Sequence, residues 1–145
     1  MPPKKISPVI MPLALARKIS EAAILAVAST GAPFTISIVD GAGHPVLITR
    51  MDGAAIASIE TSITKARTTA YFASATKDLA DAVRDGQPLA TIQTSTPYPL
   101  AFVAGGIPIR DAQGIVIGAI GVGGASAKED HDVATAGARS ADTVA

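Results

Sequence analysis

The 145-residue sequence predicts an α+β domain built on an antiparallel sheet of about five strands, with the element order α-β-β-α-α-β-β-β-α. Three observations carry that expectation. The runs "FTISIVD" (34–40) and "PVLITRM" (45–51) flank "GAGH", and "IPIRD" (107–111) and "GIVIGAIGV" (114–122) meet at "AQG" (112–114); turns this short close hairpins and cannot hold the crossover that a parallel pair needs. Helical periodicity recurs before, between and after these hairpins. A chain of this length buries roughly two-thirds of its unfolded surface, enough for one core, so residues 1–145 are read as a single domain.

Residues 1–11 read as an extended arm. Pro8 and Pro12, then Arg17, Lys18 and Glu21, interrupt the apolar run that a signal peptide requires, and a cytoplasmic location is expected. The first helix starts at Pro12, whose missing N–H costs nothing there, and runs to about residue 28 with Leu15, Ile19, Ala22, Ala23 and Ala26 as its apolar stripe. "STGAP" (29–33) stops it. In the strand that follows, Phe34, Ile36 and Ile38 alternate with Thr35 and Ser37. A second helix spans about 54–74 with Ile56, Ile59, Ile63, Ala66 and Ala70 on one face. Thr76 caps a shorter helix, "KDLADAVRD", that Gly86 ends. The stretch 87–99, with three prolines and a Ser/Thr cluster, is the longest loop, and ordered loops of this length often carry function. "LAFVAGG" (100–106) reads as a strand before the second hairpin. "GIVIGAIGV" is apolar on both alternating sets and is therefore expected at the centre of the sheet. Ser126 and Glu129 match the S-x-x-E capping box and open a final helix over 127–142.

Twelve basic and twelve acidic residues leave no net charge, which argues against a nucleic-acid partner. No apolar run approaches about 18 residues, so no membrane span is expected. There are no cysteines, which excludes disulfides, thiolate nucleophiles and cysteine-ligated metals. With 48% hydrophobic but only 3% aromatic residues, the apolar mass is Ala, Ile and Val. Such a neutral, apolar surface favours self-association into a defined oligomer.

The glycines of "GGIPIRDAQGIVIGAIGVGGA" match neither the dinucleotide fingerprint nor the phosphate-binding loop. "GVGGAS", lying between a strand and a helix, offers N–H groups to a small anion, or simply permits tight packing. The two histidines cannot build a histidine-rich metal site. His44 in a hairpin turn is either an exposed polar residue or an axial iron ligand or proton carrier. His131 belongs to a solvated helix face, as do Asp78, Asp81 and Asp85. No G-x-S-x-G elbow supports a hydrolase triad. Among the charged residues of 48–66, Asp52 is placed to cap the second helix, and Arg50 to pair with it. On residue chemistry alone, those structural roles are the simpler reading.

At "DGAGHPVLITRMDGA", "TKARTTAYF" and "GGIPIRDAQGIVIGAIGVGGA…D…A…AG" the sequence resembles the GlcG/HbpS family, which includes the C-terminal domain of PduO-type proteins; the likeness runs from about residue 12 to 140. The resemblance implies α/β/α layers around a five-stranded antiparallel sheet, and homo-oligomers, often octamers. Its members are associated with haem binding or degradation, with corrinoid-related operons and with small-molecule catabolic clusters. The family pattern covers Asp40, Gly43, Arg50 to Ala54, Lys65, Ala66, Gly105, Gly106, Pro108, Ile109, Gly118, Gly121, Val122 and Gly124, while Gly123 stands where the pattern carries serine.

With that likeness, Arg50, Asp52 and Lys65 are expected around one cleft beside Gly105 and Gly106, near a subunit boundary. The favoured reading is a homo-oligomer that binds a small ligand. Haem or a related tetrapyrrole is the first candidate, with His44 as axial ligand and Arg50 or Lys65 meeting the propionates. A cofactor-independent isomerase, lyase or tautomerase is the alternative: Arg50 and Lys65 would clamp an anionic metabolite while Asp52, His44 or Tyr98 moved a proton. A structural or accessory oligomer without a ligand is the third.

Overall fold

The computed structural model describes residues 11–143. The arm expected over 1–11 lies, apart from Met11, outside them. The elements are α1 (Leu13–Val27), β1 (Thr35–Asp40), β2 (Pro45–Arg50), α2 (Ala57–Phe72), a one-turn α3 (Thr76–Leu79), a 3-10 turn at Ile92–Ser95, β3 (Gly106–Arg110), β4 (Val116–Gly123), α4 (Ala127–Arg139) and a closing 3-10 turn at Ser140–Thr143.

The sheet has four strands in the order β2-β1-β4-β3, every neighbouring pair antiparallel, and not the five expected. The segment 100–105 is the missing strand. Its first two amides are taken by side chains: Leu100 N–H donates to Gln93 Oε1 (2.7 Å) and Ala101 N–H to Thr68 Oγ1 (2.9 Å). Only at Gly105, whose carbonyl accepts from Val122 N–H at 2.9 Å, does the chain join the sheet. Phe102 meanwhile packs on Phe72 of α2, with ring centroids 6.2 Å apart. Up to residue 104 the segment therefore straps α2 and adds no strand to the sheet. β2 and β3 are the outer strands, and Pro108 is tolerated in β3 because an edge strand can spare one N–H.

The third helix is also shorter than "KDLADAVRD" suggests. The Thr76 hydroxyl does not cap it but accepts from Gly106 N–H at 3.0 Å, tying α3 to the start of β3. Ser126, by contrast, does cap α4, accepting from Glu129 N–H at 3.2 Å.

The sheet has two unlike faces. On one, Ile36, Ile38, Ile120, Val122 and Ile109 meet α1 and α4 in the main hydrophobic core, where the buried stripe of α1 is Ala16, Ile19, Ser20, Ala23 and Val27. On the other, Thr35 and Ser37 of β1 and Gly121 and Gly123 of β4 lie against α2. Here the sequence pattern misleads. Ile56 is 83% exposed, Ile59 and Ile63 are half-buried, and the face turned to the sheet is Ser58, Ser62, Lys65, Ala66 and Thr69. The reason is clearance: a Cβ on Gly121 would stand 2.5 Å from Ala66 N and closer still to Ser62 O, so helix and strand touch backbone to backbone. Only small side chains fit such a gap, and its polar atoms must then pair with one another. Thr35 Oγ1 and Ser58 Oγ lie 2.7 Å apart, and Ser37 Oγ and Ser62 Oγ 2.8 Å. Because each serine hydroxyl already donates to the carbonyl three residues before it, Ala55 O and Ile59 O, the β1 hydroxyls are the donors across the gap.

Candidate functional site

The α2 face holds one buried ion pair. Lys65 and Asp130 are 4% and 3% exposed, and Lys65 Nζ donates to Asp130 Oδ2 at 2.8 Å and to Val122 O at 3.0 Å. Asp130 Oδ1 accepts from Ala125 N–H at 3.2 Å, so the "GVGGAS" turn directs an amide at a carboxylate of the chain's own helix. Gly105 lies beside this pair with φ +131°, and a Cβ there would stand 2.8 Å from Lys65 Nζ and from Val122 O. A side chain on Gly106 would meet Thr69 Oγ1 at 2.5 Å and Lys65 O at 2.7 Å. Lys65, Gly105 and Gly106 are thus brought together, with Asp130 as a partner that spacing alone did not suggest. A signal existed: Asp130 is the aspartate of the quoted "GVGGA…D" block.

The pair sits at the base of a hollow of about 390 Å³ between the N-terminal ends of α2 and α4. Ala55, Ser58 and Thr61 line one wall, Gly124, Ala125 and Ala127 another, and Ala101 and Val103 a third.

Burial pushes the Asp130 carboxyl above the ordinary carboxylate value of 3.8, and the Lys65 ammonium and Ala125 N–H pull it down without cancelling that rise. A carboxyl raised on folding contributes its stability in full below the ordinary value and loses it as pH climbs through the folded value. Wild type is therefore expected to lose stability relative to Asp130→Asn as pH rises from 3.8, as measured by urea unfolding across the acid range. A constant difference between the two proteins would contradict this.

Arg50 and Asp52 are not part of this group. Arg50 is exposed at the end of β2, and Asp52 is exposed along a different depression, with Ile24, Val27 and Met51. Asp52 neither caps α2, whose N-cap is Ile56, nor pairs with Arg50 among the described residues.

His44 and Tyr98 lie apart from both: Tyr98 packs on Arg67 of α2, and the turn that carries His44 rests on the same helix. The His44 side chain is 73% exposed; Asp40 Oδ1 accepts from its backbone N–H at 3.0 Å, and Asp40 Oδ2 stands 3.9 Å from its Nδ1. A Cβ on the neighbouring Gly43 (φ +84°) would stand 3.0 Å from the Tyr71 ring and 3.1 Å from Arg67 Cγ, so this turn packs on α2. The Arg67 guanidinium lies 4.5 Å above the centre of the Tyr98 ring, a cation–π contact that holds the 87–99 loop against the same helix. The sequence reading passed over Arg67 and Tyr71, although both stand in the quoted "TKARTTAYF" block. His131 is half-buried in α4 rather than solvated. Among the described residues there is no cluster of metal-ligating side chains and no helix long and apolar enough to cross a membrane.

Comparison with known proteins adds family to this geometry. A family of haem-degrading, HbpS-like proteins matches residues 11–139. A Citrobacter freundii protein, described by its size of 15.0 kDa and its position between dhaT and dhaS, is 33% identical over 119 residues, covering 82% of this chain and 83% of its own. The crystal structure of the Klebsiella pneumoniae protein ORFY superposes with a TM-score of 0.88 at 26% identity, covering all of this chain and 98% of the other. A PduOC–haem complex superposes with a TM-score of 0.83 at 27% identity, over 90% of this chain and 94% of the other.

Proposed function

The chain belongs to the HbpS-like family, and from that membership we propose that it is a small-ligand-binding protein, with haem or a related tetrapyrrole as its first ligand and a homo-oligomer as its working form. The observation that carries this reading is the superposition on a haem-bound relative over nine-tenths of the chain.

The residues present fit the group. Haem needs an accessible axial donor, aromatic or aliphatic surface for the macrocycle, and a cation for its propionates. His44 offers the donor: its ring is exposed, Nε2 makes no hydrogen bond among the described residues, and Asp40 Oδ2 stands 3.9 Å from Nδ1, beyond hydrogen-bond reach. Tyr71 and Tyr98, 40% and 45% exposed, supply ring surface, and Arg67, stacked on Tyr98, supplies a guanidinium. Lys65 lines a separate hollow that none of these residues enters, so it is not assigned to a propionate. When bound, haem would bring an iron open to ligand exchange; the chain's part is to hold and orient it. Ile56, Leu25 and Ile115, all more than 60% exposed, are apolar side chains that further copies of the chain would cover.

Hemin titrated into the purified protein is expected to give a saturable Soret shift, and His44→Ala to abolish or strongly displace it. Absence of saturation would overturn haem as ligand. A Soret shift indifferent to His44→Ala would remove His44 as the axial donor.

A further inference from the structure

The hollow above Lys65 shares none of its lining with the His44 patch, and the chain does not satisfy all of its polar groups. An ammonium has three N–H donors. Lys65 spends one on Asp130 and one on Val122 O, and the third has no acceptor among the described residues, although the side chain is 4% exposed and borders the hollow. Thr61, an exposed residue at the rim, has its Oγ1 over Gly123, 2.5 Å from where a Cβ would be, and makes no hydrogen bond among the described residues, so its hydroxyl is available to a ligand. The hollow also receives the first residues of two long helices, Ala57 of α2 and Ala127 of α4. Ser126 Oγ satisfies the Glu129 amide of α4, which leaves the earlier amides of that turn as orphan donors. Lys65 and Asp130 cancel in charge, so the positive ends of the helices leave the space favourable to an anion.

We propose that this hollow binds a small monocarboxylate, its oxygens held by Lys65 Nζ and Thr61 Oγ1. The walls choose among anions. Ala101, Val103 and Ala125 offer no donors from their side chains, so a short aliphatic tail suits them, whereas the additional oxygens of a phosphate would be desolvated against methyl groups without partners. Asp130, 2.8 Å from the same ammonium, repels a second negative charge and restricts the ligand to one. The volume of about 390 Å³ accommodates an acid of a few carbons. This site is independent of the haem reading and needs no metal.

The test is titration of the ¹⁵N-labelled full chain with sodium butanoate at constant ionic strength, with sodium chloride and inorganic phosphate as references. Saturable shifts are expected at the amides of 58–65 and 124–128, with neither reference reproducing them. Thr61→Val is expected to weaken binding by about tenfold, the effect of one lost hydrogen bond to a charged group. Asp130→Asn is expected to tighten it severalfold by removing the competing carboxylate. Both variants leave Lys65 in place, and dispersed spectra verify their fold. Non-saturating shifts, preferential binding of phosphate, or an affinity unchanged in both variants would overturn the proposal.

Discussion

Gly121→Ala is expected to lose at least about 3 kcal/mol of stability and to accumulate as unfolded or aggregated chain, because the added methyl group has nowhere to go. In most overpacked cores a neighbouring side chain swings aside. At Gly121 the obstacles are Ser62 O and Ala66 N, both main-chain atoms in the middle of a 16-residue helix. Relief requires α2 to rise off the sheet, which stretches the Thr35–Ser58 and Ser37–Ser62 bonds together. A useful reference is Gly31→Ala: that glycine has φ +73° with open space around it, so its cost is only the left-handed backbone, about 1–2 kcal/mol. Urea midpoints of the two variants should differ accordingly. A Gly121→Ala protein as stable as Gly31→Ala would mean that helix and sheet do not touch as described.

Lys65→Met is expected to cost about 3–5 kcal/mol, since it leaves the 3% exposed carboxylate of Asp130 without a counter-charge. The reverse holds for the pair taken together. Removing both charges leaves no buried ion to keep from water, so Lys65→Met combined with Asp130→Leu should recover most of the loss, short of the Ala125 N–H that then has no acceptor. The double-mutant cycle in urea should therefore show strong coupling between the two sites. Additive single effects would mean that the residues act separately and would remove the ion pair from the account of the hollow.

Much of the architecture was legible in the sequence for local reasons. The hairpins over 34–51 and 107–122 follow from turn length and alternation, and the start of α4 follows from Ser126 and Glu129. The fifth strand failed because "LAFVAGG" has the apolar content of a strand, while its first two amides are captured by the side chains of Gln93 in the preceding loop and of Thr68 on α2. The face of α2 failed because apolar periodicity assumes a sheet with room for large side chains. The glycines of β4 remove that room and reward serine and threonine instead, so Ile56 ends up outside. Site residues were visible as chemistry but not as groupings: Lys65 and Asp130 meet across 65 positions of the chain, and nothing in local spacing announces it. Arg50 and Asp52, conspicuous because they are close in sequence, remain apart from them in space.

With β2 and β3 outermost, both margins of the sheet could template foreign strands, the route by which β-rich chains polymerise into fibres. Each margin carries an imino acid, Pro45 where β2 begins and Pro108 in the middle of β3. A newcomer docking on either side finds a rung with no hydrogen to give, so uninterrupted zippering stalls at those points. Replacing Pro108 would restore a rung and leave that flank open to runaway stacking.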